Sequence, residues 1–133
     1  MLQLSIFLEN AKGRLAEVIN LLAELKVNLR ALSLADTKDY GVLRIIVDEP
    51  EATTEKLREH KVVVSLTKVW VLNVPDRAGG LAEMLNQLVK EDVVVEYMYA
   101  FVEKENEQAK VVLRVQDQDI MVKAMQKINS LIK

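Results

Sequence analysis

The chain has 133 residues, 50% of them hydrophobic and 29% charged, and its formal net charge is −2. Residues 1–67 and 68–133 each carry nine basic and ten acidic side chains, so no basic surface is predicted, and neither nucleic acid nor a membrane is an expected partner. Cysteine is absent and His60 is the single histidine, which excludes disulfides, a thiol nucleophile and a multi-histidine metal site within one chain. No cofactor or metal is therefore expected. The N-terminus carries no cationic leader or long apolar run, which predicts a cytoplasmic protein.

The first half of the chain predicts one βαββαβ unit. Apolar residues recur at every second position from residue 2 to residue 8, as in a half-buried strand, and apolar residues at helical spacing predict an amphipathic helix over 15–25. Residues 27–35 and 42–47 predict two strands joined by a polar turn. A helix from Pro50 to about residue 60 and a strand over 62–66 follow. This order is that of the ferredoxin-like split unit.

The second half repeats the first. Seven positions between residues 13 and 30 recur 66 residues later, among them Gly13 as Gly79 and Leu15 as Leu81. A period near half the chain indicates two copies of one supersecondary unit. The second copy is predicted to have a strand from residue 69, a helix over 81–89, strands over 93–102 and 109–115, and a helix over 119–128. The offset then becomes 69, which predicts a three-residue insertion, and hence a hairpin tip, in the polar run 103–108.

The expected fold is α+β, with two ferredoxin-like units that have antiparallel sheets and span residues 1–67 and 68–133. No glycine or proline occurs between residues 62 and 74, so the two units are expected to be joined rigidly. Five residues follow residue 128, so the last strand of the second unit is expected to be short or missing. A sheet that lacks an edge strand leaves backbone groups unpaired, and Tyr97, Tyr99 and Phe101 alternate along one strand. A homodimer is therefore predicted.

The loop that holds each repeated glycine is the predicted binding site. A helix N-terminus offers free backbone N–H groups and the positive end of the helix dipole to a carboxylate. Gly13 lets the backbone turn at that point. Asn10 at the end of the first strand and Asn28 near the second are predicted to hold the rest of a small zwitterion. Their counterparts at the 66-residue offset are Asp76 and Val94.

The chain resembles ACT domains, the small-molecule-sensing modules of amino-acid metabolism. Residues 9–15, Glu-Asn-Ala-Lys-Gly-Arg-Leu, followed by Val27-Asn28-Leu29, carry the resemblance in the first half, and residues 74–81, Val-Pro-Asp-Arg-Ala-Gly-Gly-Leu, look like a second copy. Over nearly its whole length the chain is similar to stand-alone tandem ACT proteins. The resemblance implies a non-catalytic regulator, not an enzyme, that binds an amino acid where ACT units pair side by side. It also implies a partner among the enzymes of amino-acid metabolism.

The resemblance also implies which residues bind the ligand. In ACT domains that bind serine, an asparagine before the first helix and another at the start of the second strand hold the ligand, and Asn10 and Asn28 match those places. The implied ligand-binding residues are Asn10, Ala11, Lys12, Gly13, Arg14, Leu15 and Asn28 in the first copy, and Asp76, Gly79, Gly80 and Leu81 in the second. Two features depart from the family pattern: Lys12 and Ala78 replace the usual proline before the glycine, and Val94 replaces an asparagine.

Three other interpretations stay open. Asn10 and Asp76 are good helix-capping residues, and capping alone would account for them. An ACT fold that has lost its ligand would serve only for assembly, which the replaced prolines and Val94 favour. A hydrolase of the acylphosphatase kind would hold phosphate with Arg14 and orient water with Asn28, although the loop is short for a phosphate cradle.

Overall fold

The structure, a computed structural model, describes residues 1–36, 39–103 and 108–128. The chain divides into two compact units, Met1–Lys68 and Val69–Lys133. The elements of the first unit are β1 (Leu2–Glu9), α1 (Arg14–Glu24), β2 (Leu29–Asp36), β3 (Tyr40–Val47), α2 (Pro50–Glu59) and β4 (Val64–Lys68). Those of the second are β5 (Trp70–Pro75), α3 (Gly80–Lys90), β6 (Val95–Ala100), β7 (Gln108–Val115) and α4 (Gln118–Ile128). The predicted α+β class with two ferredoxin-like units is confirmed.

The first unit has a four-stranded antiparallel sheet in the order β2-β3-β1-β4. β1 lies inside the sheet, where Leu4 pairs with Ile45 of β3 on one side and with Leu66 of β4 on the other. Because β1 and β2 both pair antiparallel with β3, they run in the same direction. The start of β2 therefore lies at the opposite end of the sheet from the loop between β1 and α1.

The core of the first unit follows from the alternation seen in the sequence. Leu4, Ile6 and Leu8, at every second position of β1, are buried, with 0–4% of their surface exposed. Helices α1 and α2 contribute their apolar faces to the same cluster, since each helix is too short to be stable without tertiary packing. The cluster contains Leu4, Ile6, Leu8, Val18, Leu22, Leu43, Ile45, Val47, Leu57, Val62 and Val64.

The second unit has a three-stranded sheet in the order β5-β7-β6 within the described residues. Leu113 of β7 is fully buried and lies between Trp70 of β5 and Met98 of β6. Met84, Leu88, Met121 and Ile128 supply the helical side of this core. The prediction that the last strand is short or missing falls on residues 129–133, and the predicted hairpin tip includes residues 104–107. Both segments lie outside the described residues.

The two units share the backbone geometry of their helix ends. Lys26 after α1 and Asp92 after α3 adopt left-handed conformations, with φ of 59° and 61°. The N–H of Val27 then donates to the carbonyl of Leu22 at 2.9 Å, and the N–H of Val93 donates to that of Leu88 at 3.0 Å. These bonds span six residues in the manner of a Schellman helix end. The repeat seen in the sequence is thus also a repeat of backbone conformation.

A β-bulge follows each of these helix ends. The pairing of β2 with β3 shifts register between Leu29 and Ala31, and the pairing of β6 with β7 shifts between Val95 and Tyr97. A bulge bends its strand and increases the local twist. The bulges turn Arg30 and Glu96, the residues at their centres, towards ion pairs with Asp48 at 3.7 Å and Arg114 at 3.8 Å.

Candidate functional site

The loop between β1 and α1 is held by three backbone hydrogen bonds. The N–H of Ala11 donates to the carbonyl of Glu9 at 2.8 Å, and that of Arg14 donates to Ala11 at 3.2 Å. Asn10 is tied to the neighbouring hairpin, because its N–H donates to the carbonyl of Asp39 at 3.0 Å. These bonds fix the chain in a tight turn before the helix begins.

The loop between β5 and α3 has the same backbone pattern. The N–H of Arg77 donates to Pro75 at 2.9 Å and that of Gly80 donates to Arg77 at 3.0 Å, at positions 66 residues after the corresponding bonds of the first loop. Gly13 and Gly79 occupy the left-handed region with φ of 83° and 87°. L-residues with a side chain adopt this region only at a cost, which explains the repeated glycine.

Each glycine is the N-cap of its helix, and among the described residues no side chain caps either one. The interpretation of Asn10 and Asp76 as capping residues is therefore wrong: they precede Gly13 and Gly79 by three residues, which is too early for the N-cap position. Both asparagine and aspartate belong to the strand end.

Free backbone donors remain at the start of each helix. The N–H of Glu17 closes the first helical bond to the carbonyl of Gly13 at 3.0 Å, as Glu83 does to Gly79 at 2.9 Å. The N–H groups of Leu15 and Ala16 precede these bonds and have no acceptor in the described part of the chain. Two adjacent N–H groups at the positive end of a helix dipole form a binding place for an anion.

The arginine of each loop binds the glutamate in the first turn of its own helix. Arg14 contacts Glu17 at 3.0 Å, and Arg77 contacts both carboxylate oxygens of Glu83 at 3.0 and 2.8 Å. The two glutamates are equivalent in the repeat, but the two arginines are not, since Arg14 stands where the second copy has Gly80. Each unit thus has an arginine–glutamate ion pair at the start of its helix, but the arginine comes from a different position of the repeat.

The two glycines of the second loop differ in the space around them. A Cβ on Gly80 would collide with the carbonyl oxygen of Pro75, whereas one on Gly79 would meet no atom within 4 Å among the described residues. The second loop therefore needs glycine at residue 80, where the first loop carries Arg14. Beside both loops lies an exposed leucine, with 38% of Leu15 and 41% of Leu81 accessible.

Asn28 lies far from Asn10 within its own unit. It precedes β2, whereas Asn10 follows β1, and the two strands run the same way. An eight-residue strand separates the two amides by roughly 25 Å, at about 3.3 Å per residue. One unit therefore does not bring Asn10 and Asn28 to one ligand. The same separation keeps Arg14 from Asn28, so the pair that a hydrolase of the acylphosphatase kind would need is not assembled.

Asn28 instead lines a polar cleft of about 260 Å³ at the other end of the sheet. Asp48, which precedes α2, and Thr53 and Lys56 of α2 also line this cleft. Val94, the counterpart of Asn28 in the second unit, is 54% exposed. The first unit thus has the polar side chain of Asn28 at the repeat position where the second unit has the apolar side chain of Val94.

A cavity in the second unit was not predicted from the sequence. Its volume is about 320 Å³, and it lies against β5 with Trp70, Leu72, Met84, Met125 and Ile128 in its walls. The indole N–H of Trp70 donates to the side-chain oxygen of Gln118 at 2.8 Å. Met84 and Met125 have the spacing of core residues in the sequence, which gives no sign that they border an opening.

Metal and membrane sites were sought in the described part of the chain. No cluster of three or more histidine, aspartate or glutamate side chains there has the arrangement of a metal site. No helix among residues 1–36, 39–103 and 108–128 is both long and apolar enough to cross a membrane.

Comparison with known proteins identifies the family. The family model of the ACT domain pair matches residues 1–130. None of the curated proteins matches the chain. Among solved structures, protein BT0572 from Bacteroides thetaiotaomicron is similar, with 38% identity and a TM-score of 0.87 over 96% of this chain and 88% of that one. The chain therefore belongs to the ACT domain pair family, whose domains are regulatory and bind small molecules.

More distant structures share the fold. The regulatory subunit of aspartate kinase from Thermus thermophilus is 12% identical, with a TM-score of 0.66 over 99% of this chain and 93% of that one. The aspartate kinase of Clostridium acetobutylicum is 15% identical, with a TM-score of 0.59 over 99% of this chain but 33% of the larger enzyme. At these identities the likeness extends to the fold alone.

Proposed function

We propose that the chain is a non-catalytic regulatory protein that binds an amino acid at its β1–α1 and β5–α3 loops, where ACT units meet. The observation that carries this proposal is the duplicated loop. Gly13 and Gly79 start their helices in the same left-handed conformation, and no side chain caps either helix among the described residues. An anionic group of a ligand fits the unoccupied donors at both places.

The loop suggests how a ligand would be oriented. Its carboxylate would accept from the N–H groups of Leu15 and Ala16, or from those of Leu81 and Ala82 in the second unit. The half-exposed leucine beside each pair of donors would contact apolar atoms of the ligand. An α-amino acid carries both a carboxylate and a side chain for these two contacts.

The remaining polar contacts would come from a second ACT unit. Asn10 and Asn28 lie at opposite ends of one sheet, so a ligand touched by both must lie between two units. We propose a homodimer as the form in which such units are paired. Binding would then act by linkage, because a ligand that contacts two units stabilises the arrangement in which they are in contact.

The regulated partner is proposed to be an enzyme of amino-acid metabolism. Support comes from the fold shared with the regulatory subunit of an aspartate kinase. The partner would recognise one of the two arrangements of the ACT units, and the ligand would shift the equilibrium between these arrangements.

A thermal-shift screen of the twenty amino acids tests the proposal. A ligand at ~100 times its Kd stabilises the folded protein by about 2.7 kcal/mol, which raises the melting temperature by several degrees in a domain of this size. The matched control is the amide of the same amino acid, which keeps the side chain but lacks the carboxylate. We expect the shift with the acid and its loss with the amide.

A ligand-free assembly module is the second candidate. Lys12 and Ala78 in place of proline, together with Val94 in place of asparagine, favour it. In that case none of the twenty amino acids would shift the melting temperature, while the oligomeric state would be unchanged. An equal shift with acid and amide would instead move the ligand away from the helix N-termini.

A further inference from the structure

The strand β5 differs from its counterpart in the first unit by its place in the sheet. β1 is an inner strand, paired with β3 on one side and with β4 on the other. β5 pairs with β7 along one side, and within the described residues no strand pairs with its other side. The side of β5 that is unpaired among the described residues corresponds to the side of β1 that β4 covers.

An apolar opening lies next to this free side. The cavity of about 320 Å³ has β5 as one wall and Met84, Met125 and Ile128 of the helices as the other. In the first unit β4 follows the corresponding helix and contributes Val64, with 6% of its surface exposed, to the core. The first unit therefore shows what fits beside β5: an antiparallel strand with apolar side chains facing the helices.

The composition of β5 makes pairing with another strand favourable. Its six residues, Trp-Val-Leu-Asn-Val-Pro, include no ionisable side chain. The other outer strands each carry charge, with Arg30 in β2, Lys68 in β4 and Glu96 in β6. Charged residues on an edge strand prevent association with other strands. β5 lacks this protection, and two copies of it can approach each other without charge repulsion.

We propose that β5 pairs with β5 of a second copy of the chain in a two-fold symmetric, antiparallel ladder. The inference rests on the homodimer of the proposed function and adds a contact between the second units of its two copies. A two-fold contact places the same patch of both copies together, and two identical strands related in this way are antiparallel, as β1 and β4 are. Each copy would satisfy the free edge of the other.

The register of the first unit indicates which groups would bond. The N–H of Phe7 in β1 donates to the carbonyl of Val63 next to β4 at 3.0 Å. Asn73 occupies the equivalent position of β5, 66 residues later, so its N–H and that of Val71 point to the free side. Trp70 and Leu72 face the helices and would extend the apolar wall of the partner's cavity.

Disulfide trapping tests the ladder, because the chain has no cysteine of its own. In a two-fold antiparallel ladder one residue lies opposite its own counterpart, within reach of the short Cβ–Cβ distance that a disulfide needs. Single variants Val71→Cys, Leu72→Cys and Asn73→Cys cover the centre of β5. We expect at least one of them to form a covalent dimer on oxidation. Leu34→Cys, on the exposed edge strand β2, is the matched control and should stay monomeric on a denaturing gel.

A second measurement does not depend on which residues of the two β5 strands lie opposite each other. Asn73 is exposed, so Asn73→Lys should fold normally by circular dichroism and yet weaken dimerisation at least tenfold in sedimentation equilibrium. Leu34→Lys should leave dimerisation unchanged. A wild-type dimer that is trapped through Leu34→Cys and not through β5 would overturn this inference and leave the proposed homodimer standing. A wild-type particle of 15.1 kDa at micromolar concentration would overturn both, whereas amino-acid binding is judged separately by the thermal-shift screen.

Discussion

Arg77 donates to both carboxylate oxygens of Glu83, at 3.0 and 2.8 Å, and so links the β5–α3 loop to the first turn of α3. Arg14 makes the equivalent contact with Glu17 in the first unit, at 3.0 Å. In both units a glutamate near the helix N-terminus also interacts favourably with the helix dipole. Within each ion pair the charges of arginine and glutamate cancel before any ligand arrives.

These ion pairs are expected to contribute little to stability. Because Arg77 and Glu83 are both more than half exposed, solvent screens their attraction, and exposed pairs contribute about 0–1 kcal/mol. Glu83→Gln and Glu17→Gln should therefore lower the free energy of unfolding by less than about 1 kcal/mol in urea denaturation at low salt. The difference should shrink in 1 M salt. A loss that is large and independent of salt would show that the glutamates do more than pair with arginine.

The glycines of the second loop should differ in their tolerance of alanine. Gly79→Ala forces a side chain into the left-handed region, at a cost of about 1–2 kcal/mol, and its Cβ meets no atom of the described residues within 4 Å. Gly80→Ala has an ordinary helical backbone but drives its Cβ into the carbonyl oxygen of Pro75, and overpacking of this kind costs about 1–3 kcal/mol or more.

Gly41→Ala is the control for both variants. Its Cβ would make an ordinary contact of 3.5 Å with Leu34, and alanine is not disfavoured in a strand relative to glycine. Guanidinium denaturation should therefore show destabilisation at residues 79 and 80 and little change at residue 41. Equal tolerance at all three positions would contradict the loop geometry.

Asn28 should matter for ligand affinity and hardly for folding. Asn28→Ala leaves a ligand polar group unpaired, at a cost of about 1–3 kcal/mol, or roughly 5- to 150-fold in Kd. The melting temperature of the ligand-free protein should stay within a degree or so, because Asn28 caps no helix in the described chain. Val94→Ala, at the equivalent position, is the control and should leave affinity unchanged. Titration calorimetry that finds Asn28→Ala as tight as wild type would remove Asn28 from the site.

The two units are expected to unfold together. Val69 is the single residue between β4 and β5, so the chain provides no flexible linker at this point. Units of about 65 residues bury a limited core of their own and gain from mutual support. Scanning calorimetry should therefore give one transition, whose calorimetric and van't Hoff enthalpies agree. Two separate transitions would show that the units fold independently.

Much of the fold could be predicted from the sequence, because the repeat and the hydrophobic periodicity are local signals. The alternation in β1 and the repeated glycine located the strands, the helix starts and the loops. The separation of Asn10 from Asn28 was also implicit, since a βαβ connection returns the chain to the starting end of the sheet. The prediction treated β2 as the neighbour of β1, whereas β3 lies between them and β2 starts at the opposite end of the sheet.

Other features of the site depend on packing between distant residues. Nothing local shows that Gly80 must lack a side chain, because the obstacle is the carbonyl of Pro75, which the turn brings back against the helix. The cavity beside β5 likewise depends on how far Met84 and Met125 stand from Trp70. Such distances are set by the tertiary structure and cannot be obtained from the residue types alone.

The bulges at Leu29–Ala31 and Val95–Tyr97 bear on the ancestry of the chain. An extra residue in a strand is a specific event, and here it occurs twice at positions exactly one repeat apart. A single insertion before duplication explains both bulges more simply than two independent insertions. Arg30 and Glu96, at the centres of the two bulges, carry opposite charges, so the two copies share the shape of the strand while its electrostatic character differs.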